Sequence, residues 1–172
     1  TVSVAMYRGL VERGLTPRCV AGHSLGEYSA HVAAGTIAFA DALGIVKRRG
    51  RYMQEAVPIG DGAMAVILGL DASSVKQACD ESSNGEVVAP ANLNAPQQIV
   101  IAGTREAVHR AGEVAKRMGA KRVISLRVSA PFHCALMQPV ADRLAPELRG
   151  LSATDPRIPV VANVDAEPKR NA

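Results

Sequence analysis

A serine between two glycines is the first feature of this sequence that could do chemistry. Gly22-His23-Ser24-Leu25-Gly26 is a G-x-S-x-G pentapeptide that follows a short apolar run and precedes a helical pattern. In a strand–turn–helix the serine stands on a sharp, strained turn, and the glycines let neighbouring backbone approach. Its hydroxyl then lies at a helix N-terminus, where free N–H groups stabilise a developing oxyanion, with Leu25 N–H the natural donor. The alternative is an ordinary glycine-packed helix N-terminus.

A serine nucleophile needs a base, and the chain has four histidines. His133, in "SAPFHCALM", follows a proline and precedes a helical pattern, which is a plausible position for a catalytic imidazole. A structural polar histidine is the rival interpretation. The other three are less well placed. His23 is next to the serine, His31 is two helical turns beyond it, and His109 is on a charged helix face. Cys134 could be a thiol nucleophile, but the strand–turn–helix context favours Ser24.

Composition excludes several classes of function. The 172 residues are 48% hydrophobic and 21% charged, which predicts one globular domain with room for a subdomain. No apolar run approaches the ~20 residues of a membrane-spanning helix, and the N-terminal residues lack the pattern of a signal peptide.

Three unpatterned cysteines predict neither a disulfide framework nor a zinc site, so a reducing cytoplasm is expected. The net charge of +4 is dispersed and only 3% of residues are aromatic, which argues against nucleic-acid binding and leaves an acidic protein partner possible.

The elements that must position these residues are predicted from hydrophobic periodicity and from capping and turn residues. Helices are predicted over residues 1–14, 24–34, 39–56, 71–83 and 104–119, with another after the turn at Ala130-Pro131, and strands over 17–22, 62–70, 86–94, 97–103, 120–128 and 158–164. The order over 62–128 is β-α-β-β-α-β, which is the ferredoxin-like unit. We therefore predict an α/β fold with this unit set into it. Because the chain opens within a helical pattern and stops just after a strand, we expect a fragment.

Five blocks of the sequence together carry a family resemblance. "GHSLGEYSA", "RRGRYMQEAVP", "GAMAVILGLD", "NAPQQIVIAG" and "APFHCALMQP" resemble, in order, the malonyl-CoA:acyl carrier protein transacylase family, which includes the acyltransferase domains of fatty acid and polyketide synthases. The resemblance implies an α/β-hydrolase-like parallel-sheet domain, here residues 1–60 and 129–172, with an inserted ferredoxin-like subdomain, here 61–128.

The resemblance also implies roles for particular residues. Ser24 matches the acylated serine, His133 its base, and Arg49 the arginine that pairs with the malonyl carboxylate; Arg48 and Arg51 are the alternatives for that pairing. A guanidinium suits the task because its planar fork binds a carboxylate bidentately and keeps its proton. The remaining matches flank the nucleophile or lie near the acyl pocket: His23, Leu25, Phe132, Asn92 and Asn94. A phenylalanine at 132 implies malonyl over methylmalonyl, whereas the two asparagines could equally be strand-end turn residues.

The implied activity is transfer of a malonyl group from malonyl-CoA to the phosphopantetheine thiol of acyl carrier protein, in fatty acid biosynthesis, without metal or redox cofactor. A serine thioesterase or esterase with the same Ser–His pair, and a non-catalytic carrier-protein docking domain, are the alternatives.

The sequence departs from the family pattern in two places. It lacks the N-terminal segment whose glutamine completes the oxyanion hole, and the C-terminal segment whose carbonyl orients the histidine.

Overall fold

The computed structural model describes all 172 residues, which form two compact units. One comprises Thr1–Arg49 and Leu144–Ala172, and the other Gly50–Arg143. The predicted domain limits near residues 60 and 128 stay a prediction. None of the helices is both long and apolar enough to cross a membrane.

The first unit contains a small mixed sheet with helices. Its elements are α1 (Val2–Glu12), β1 (Val20–Ala21), α2 (Leu25–Ala34), the start of α3 (Phe39–Glu55), the end of α6 (Gln138–Arg149), β6 (Val160–Val161) and β7 (Pro168–Lys169). Strand β1 pairs in parallel with β6, which pairs antiparallel with β7. Helix α2 packs Ala30 and Ala34 on Val160. These contacts hold α2 against the sheet.

The second unit is the ferredoxin-like βαββαβ arrangement, as predicted. Its elements are β2 (Gly62–Leu68), α4 (Ala72–Ser82), β3 (Val88–Ala95), β4 (Gln98–Thr104), α5 (Arg105–Arg117) and β5 (Arg122–Ser125), followed by a 3-10 turn at Ala135–Met137. The sheet order is β3-β4-β2-β5, and every neighbouring pair is antiparallel. Its core is aliphatic and includes the fully buried Ile67, Ile99 and Ile101. The predicted α/β fold class is confirmed.

The predictions were less accurate at the short strands. Strands β1 and β6 are each two residues long, β5 has four, and β7 was not predicted. Helix α1 was predicted over 1–14, and of its apolar residues Val4 is buried while Leu10 and Val11 are 47% and 42% exposed. An amphipathic pattern shows which residues share a face, but not how much of that face is covered.

Candidate active site

Ser24 occupies a strained turn between β1 and α2. Its φ of 51° and ψ of −102° lie in a region that non-glycine residues rarely adopt, and such strain concentrates at functional sites. The turn is closed by Gly26 N–H donating to the His23 carbonyl (2.9 Å) and Glu27 N–H donating to the Ser24 carbonyl (3.2 Å). Ser24 is the N-cap of α2, yet its hydroxyl makes no capping bond. The serine hydroxyl therefore does not cap the helix.

The two glycines of the pentapeptide have different roles. A Cβ on Gly22 would lie 2.0 Å from the carbonyl carbon and oxygen of Gly26, so only glycine fits there. A Cβ on Gly26 would meet nothing within 4 Å. The expectation that both glycines permit close backbone approach is right for Gly22 and wrong for Gly26, because the crowding lies on the side of the turn from which β1 enters.

Arg49 of α3 contacts the serine side chain. Its Nη2 donates to Ser24 Oγ at 2.9 Å, and its guanidinium carbon lies 5.7 Å from the centre of the Tyr28 ring. Burial raises the pKa of Tyr28, the Arg49 charge opposes that rise, and Glu27 adds to it. The phenol therefore stays neutral and does not neutralise the guanidinium. A fixed positive charge stands at the candidate nucleophile.

The two alternative arginines are engaged elsewhere. Arg48 forms an ion pair with Glu147 of α6. In the second unit, Arg51 pairs with Glu55 one helical turn on (3.4 Å) and lies over the Tyr52 ring. Of the three, Arg49 is the one whose guanidinium meets Ser24 Oγ.

Asn163 was not predicted, although it hydrogen-bonds both sides of the turn. Its Oδ1 accepts from Ser24 N–H (2.6 Å), its Nδ2 donates to the Gly22 carbonyl (2.6 Å), and its N–H donates to Glu27 Oε1 (3.2 Å). The parallel register pairs Ala21 with Val161, so residues just beyond both strands meet at one edge of the sheet. A polar residue there is typical of α/β binding sites and was the available signal.

His133 and Phe132 belong to the second unit. His133 is exposed and has a φ of 63°, so the candidate base, like the candidate nucleophile, has a backbone that non-glycine residues rarely adopt. Phe132 is partly buried against Met64, Val100 and Ala102. The preceding Pro131 is buried, and a Cβ on Gly62 would lie 2.3 Å from its ring. The turn that carries His133 is thus held firmly against β2 and β4.

The remaining candidate residues lie at the following positions. Asn92 and Asn94 lie in β3, next to irregularities in its pairing with β4, and His23 and His109 are exposed. His31 is partly buried, and its Nδ1 is buried without a hydrogen-bond partner. Leu25 opens α2, so its N–H has no acceptor within the helix, as the oxyanion assignment requires.

Burial makes two of the three cysteine thiols poor nucleophiles. Burial raises the pKa of Cys134, whose Sγ also donates to the Pro131 carbonyl (3.1 Å), and it raises the pKa of Cys79 to about 12. Both thiols therefore stay protonated near neutral pH. No group of three or more His, Cys, Asp or Glu side chains is arranged to hold a metal ion.

Residues 1–172 match the family model described as the acyl transferase domain. The chain is 55% identical over 172 residues to the malonyl CoA-acyl carrier protein transacylase of Escherichia coli K12, covering 99% of this chain and 56% of that protein. It is 51% identical over 168 residues to the same-named protein of Bacillus subtilis, covering 97% and 53%. The chain thus spans about half the length of these curated relatives.

Solved structures agree with this match. A malonyl-transacylase in complex with its type II PKS acyl-carrier protein superposes with a TM-score of 0.96 at 53% identity, covering 98% of this chain and 55% of that one. The malonyl CoA-acyl carrier protein transacylase of Coxiella burnetii gives a TM-score of 0.96 at 47% identity, covering 98% and 54%.

Proposed function

The chain belongs to the acyl transferase domain family, as its five sequence blocks predicted, and from this premise we propose that the protein is a malonyl-CoA:acyl carrier protein transacylase. Its substrates would be malonyl-CoA and the phosphopantetheine thiol of acyl carrier protein, in fatty acid biosynthesis. Relatives that carry this name in Escherichia coli and Bacillus subtilis support the proposal. So does a similar structure that holds an acyl-carrier protein.

The proposed reaction has two acyl-transfer steps. Ser24 Oγ attacks the thioester carbonyl while its proton passes to His133. The tetrahedral intermediate then collapses, and the coenzyme A thiolate leaves and takes that proton. In the second step the carrier thiol gives its proton to His133 and attacks the seryl ester, and Ser24 recovers the proton as its ester bond breaks. Leu25 N–H stabilises the oxyanion in both steps. The substrates supply every atom transferred, and these steps as proposed call for no metal or redox cofactor.

The bond from Arg49 to Ser24 Oγ is the observation that carries this proposal. A serine hydrolase uses the same nucleophile and base but has no need of a partly buried cation beside the nucleophile. The carboxylate of a malonyl ester lies one methylene beyond the ester carbonyl, within reach of a guanidinium whose Nη2 is 2.9 Å from Oγ. A carboxylate that loses water of hydration must be paired, and an arginine fork does so bidentately. His23, Phe132, Asn92 and Asn94 are assigned to substrate binding on the resemblance.

A competition among thioesters tests this role. With malonyl-CoA, acetyl-CoA and methylmalonyl-CoA offered together to the full-length protein, we expect the wild type to prefer malonyl. Methylmalonyl should be poor because the Phe132 ring crowds an α-methyl group. Arg49→Ala should reduce kcat/KM for malonyl about 10²-fold or more, as expected when a bound carboxylate is left unpaired. Transfer of acetyl, which brings no charge, should change little.

Arg51→Ala is the matched control, because this arginine is on the same helix and pairs with Glu55. We expect it to keep the wild-type preference. If Arg49→Ala also keeps that preference, Arg49 is not the carboxylate partner. If the wild type releases free malonate at the rate at which it consumes malonyl-CoA, with carrier protein present, the protein is a hydrolase.

A further inference from the structure

We propose that Asn163 is a positioning residue for the nucleophile, holding the turn that carries Ser24 with a single carboxamide. The inference rests on the proposed use of Ser24 as a nucleophile, but not on which acyl group is transferred. It concerns a residue 139 positions away in sequence from the serine.

The carboxamide joins the two sides of the turn. On one side Asn163 Oδ1 accepts from Ser24 N–H, and on the other Nδ2 donates to the Gly22 carbonyl, both at 2.6 Å. Only this orientation of the amide satisfies both partners, because the reversed amide would set donor against donor and acceptor against acceptor. The two bonds fix the separation of residues 22 and 24, and hence the strained dihedral angles of the serine.

Glu27 holds Asn163 in place. In an ordinary capping box, a glutamate at the third helical position accepts from the N–H of the N-cap residue. Glu27 holds that position in α2, but its Oε1 accepts from Asn163 N–H, while Asn163 takes the N–H of the N-cap Ser24. The asparagine is thus inserted into the capping box. This insertion satisfies the start of α2 without the serine hydroxyl, which instead meets Arg49.

This arrangement also assigns the oxyanion donor. Ser24 N–H is already bonded to Asn163, so it does not serve the oxyanion. Leu25 N–H, the next along the chain, remains the donor from this turn. Loss of Asn163 would shift the hydroxyl relative to this N–H and to Arg49. A displacement of about 1 Å at a reacting atom can cost about 10²-fold in rate.

The two bonds orient the turn and bury little apolar surface, so their loss should affect rate more than stability. We therefore expect Asn163→Ala to lower the rate at which a fluorophosphonate probe labels Ser24 by about 10- to 100-fold. The kcat for malonyl transfer should fall by a similar factor while KM for malonyl-CoA stays near the wild-type value. The thermal midpoint should stay well above the assay temperature.

Two further comparisons separate positioning from a general structural effect. Glu27→Gln keeps an acceptor for Asn163 N–H and should keep the labelling rate, whereas Glu27→Ala should lower it. Val164→Ala, at a neighbouring residue 89% exposed, is the matched control and should label like the wild type.

Labelling and transfer test different claims. If the wild type labels at Ser24 but does not transfer malonyl, the proposed function fails, and the labelling rates of the variants still decide the role of Asn163. If Asn163→Ala labels at the wild-type rate per folded molecule, or if Glu27→Gln is as impaired as Glu27→Ala, the positioning role is wrong even where malonyl transfer is intact.

Discussion

The turn around Ser24 and the ferredoxin-like sheet are stabilised by different kinds of interaction. In the sheet, β2 and β4 form a continuous antiparallel ladder, and Ile67, Ile99 and Ile101 are each at most 2% exposed in its core. The turn has a non-glycine residue at positive φ, one glycine in close backbone contact, and a carboxamide brought from a distant strand end. The sheet is held by many small, similar contributions, and the turn by a few oriented ones.

This difference predicts where substitutions should act. Burial of apolar surface is non-directional and roughly additive, so a change in the sheet should appear in the free energy of unfolding. The turn contributes little apolar area but sets the position of a reacting atom, so a change there should appear in the rate of acyl transfer, with or without a loss of stability. The following substitutions test this division, from the largest expected effect on rate to the smallest.

Gly22→Ala should lower the rate of acyl transfer more than the other two substitutions. The new methyl group would lie 2.0 Å from the Gly26 carbonyl, and because the obstacle is backbone the turn must open. We expect acyl transfer by the full-length protein to fall about 10²-fold or more. The free energy of unfolding should fall by about 1–3 kcal/mol, which denaturant titration measures.

Gly26→Ala is the control for Gly22→Ala, because its Cβ would meet nothing within 4 Å. Residue 26 lies in the first turn of α2, where alanine is at least as favourable as glycine. Its free energy of unfolding should equal or exceed that of the wild type. If both alanine variants are equally destabilised, the crowding at Gly22 is not the cause.

Ile67→Val should have almost no effect on rate. It removes one methylene from a fully buried side chain in β2, which costs about 0.5–1.5 kcal/mol of unfolding free energy. Malonyl transfer per folded molecule should match the wild type. A loss of rate without a loss of stability would contradict the division between the two regions.

The sequence predicted the regular region well because its signals are local. The pattern and capping of α5 predicted residues 104–119, and the helix spans Arg105–Arg117. The prediction that α4 starts at Asp71 is also right, since its side chain accepts from Ser74 N–H. Such signals lie within a few residues of the feature that they determine.

The turn region was predicted only in part because its contacts are long-range. The G-x-S-x-G pattern indicated the strained serine, but the polar residue at the end of the strand predicted over 158–164 does not by itself show that it will meet residue 24. That contact depends on the parallel pairing of β1 with β6, two strands of two residues each. Strands so short have almost no periodicity, so their pairing could not be derived from the sequence.

The most direct test of the account is to identify the atom that becomes acylated. The full-length protein would be incubated briefly with radiolabelled malonyl-CoA, without carrier protein, then digested and its peptides analysed by mass spectrometry. We predict one malonyl group on the peptide that contains Ser24, none in the Ser24→Ala variant, and loss of the label when carrier protein is added. Label on Cys19 or Cys134, with none on the Ser24 peptide, would contradict the account.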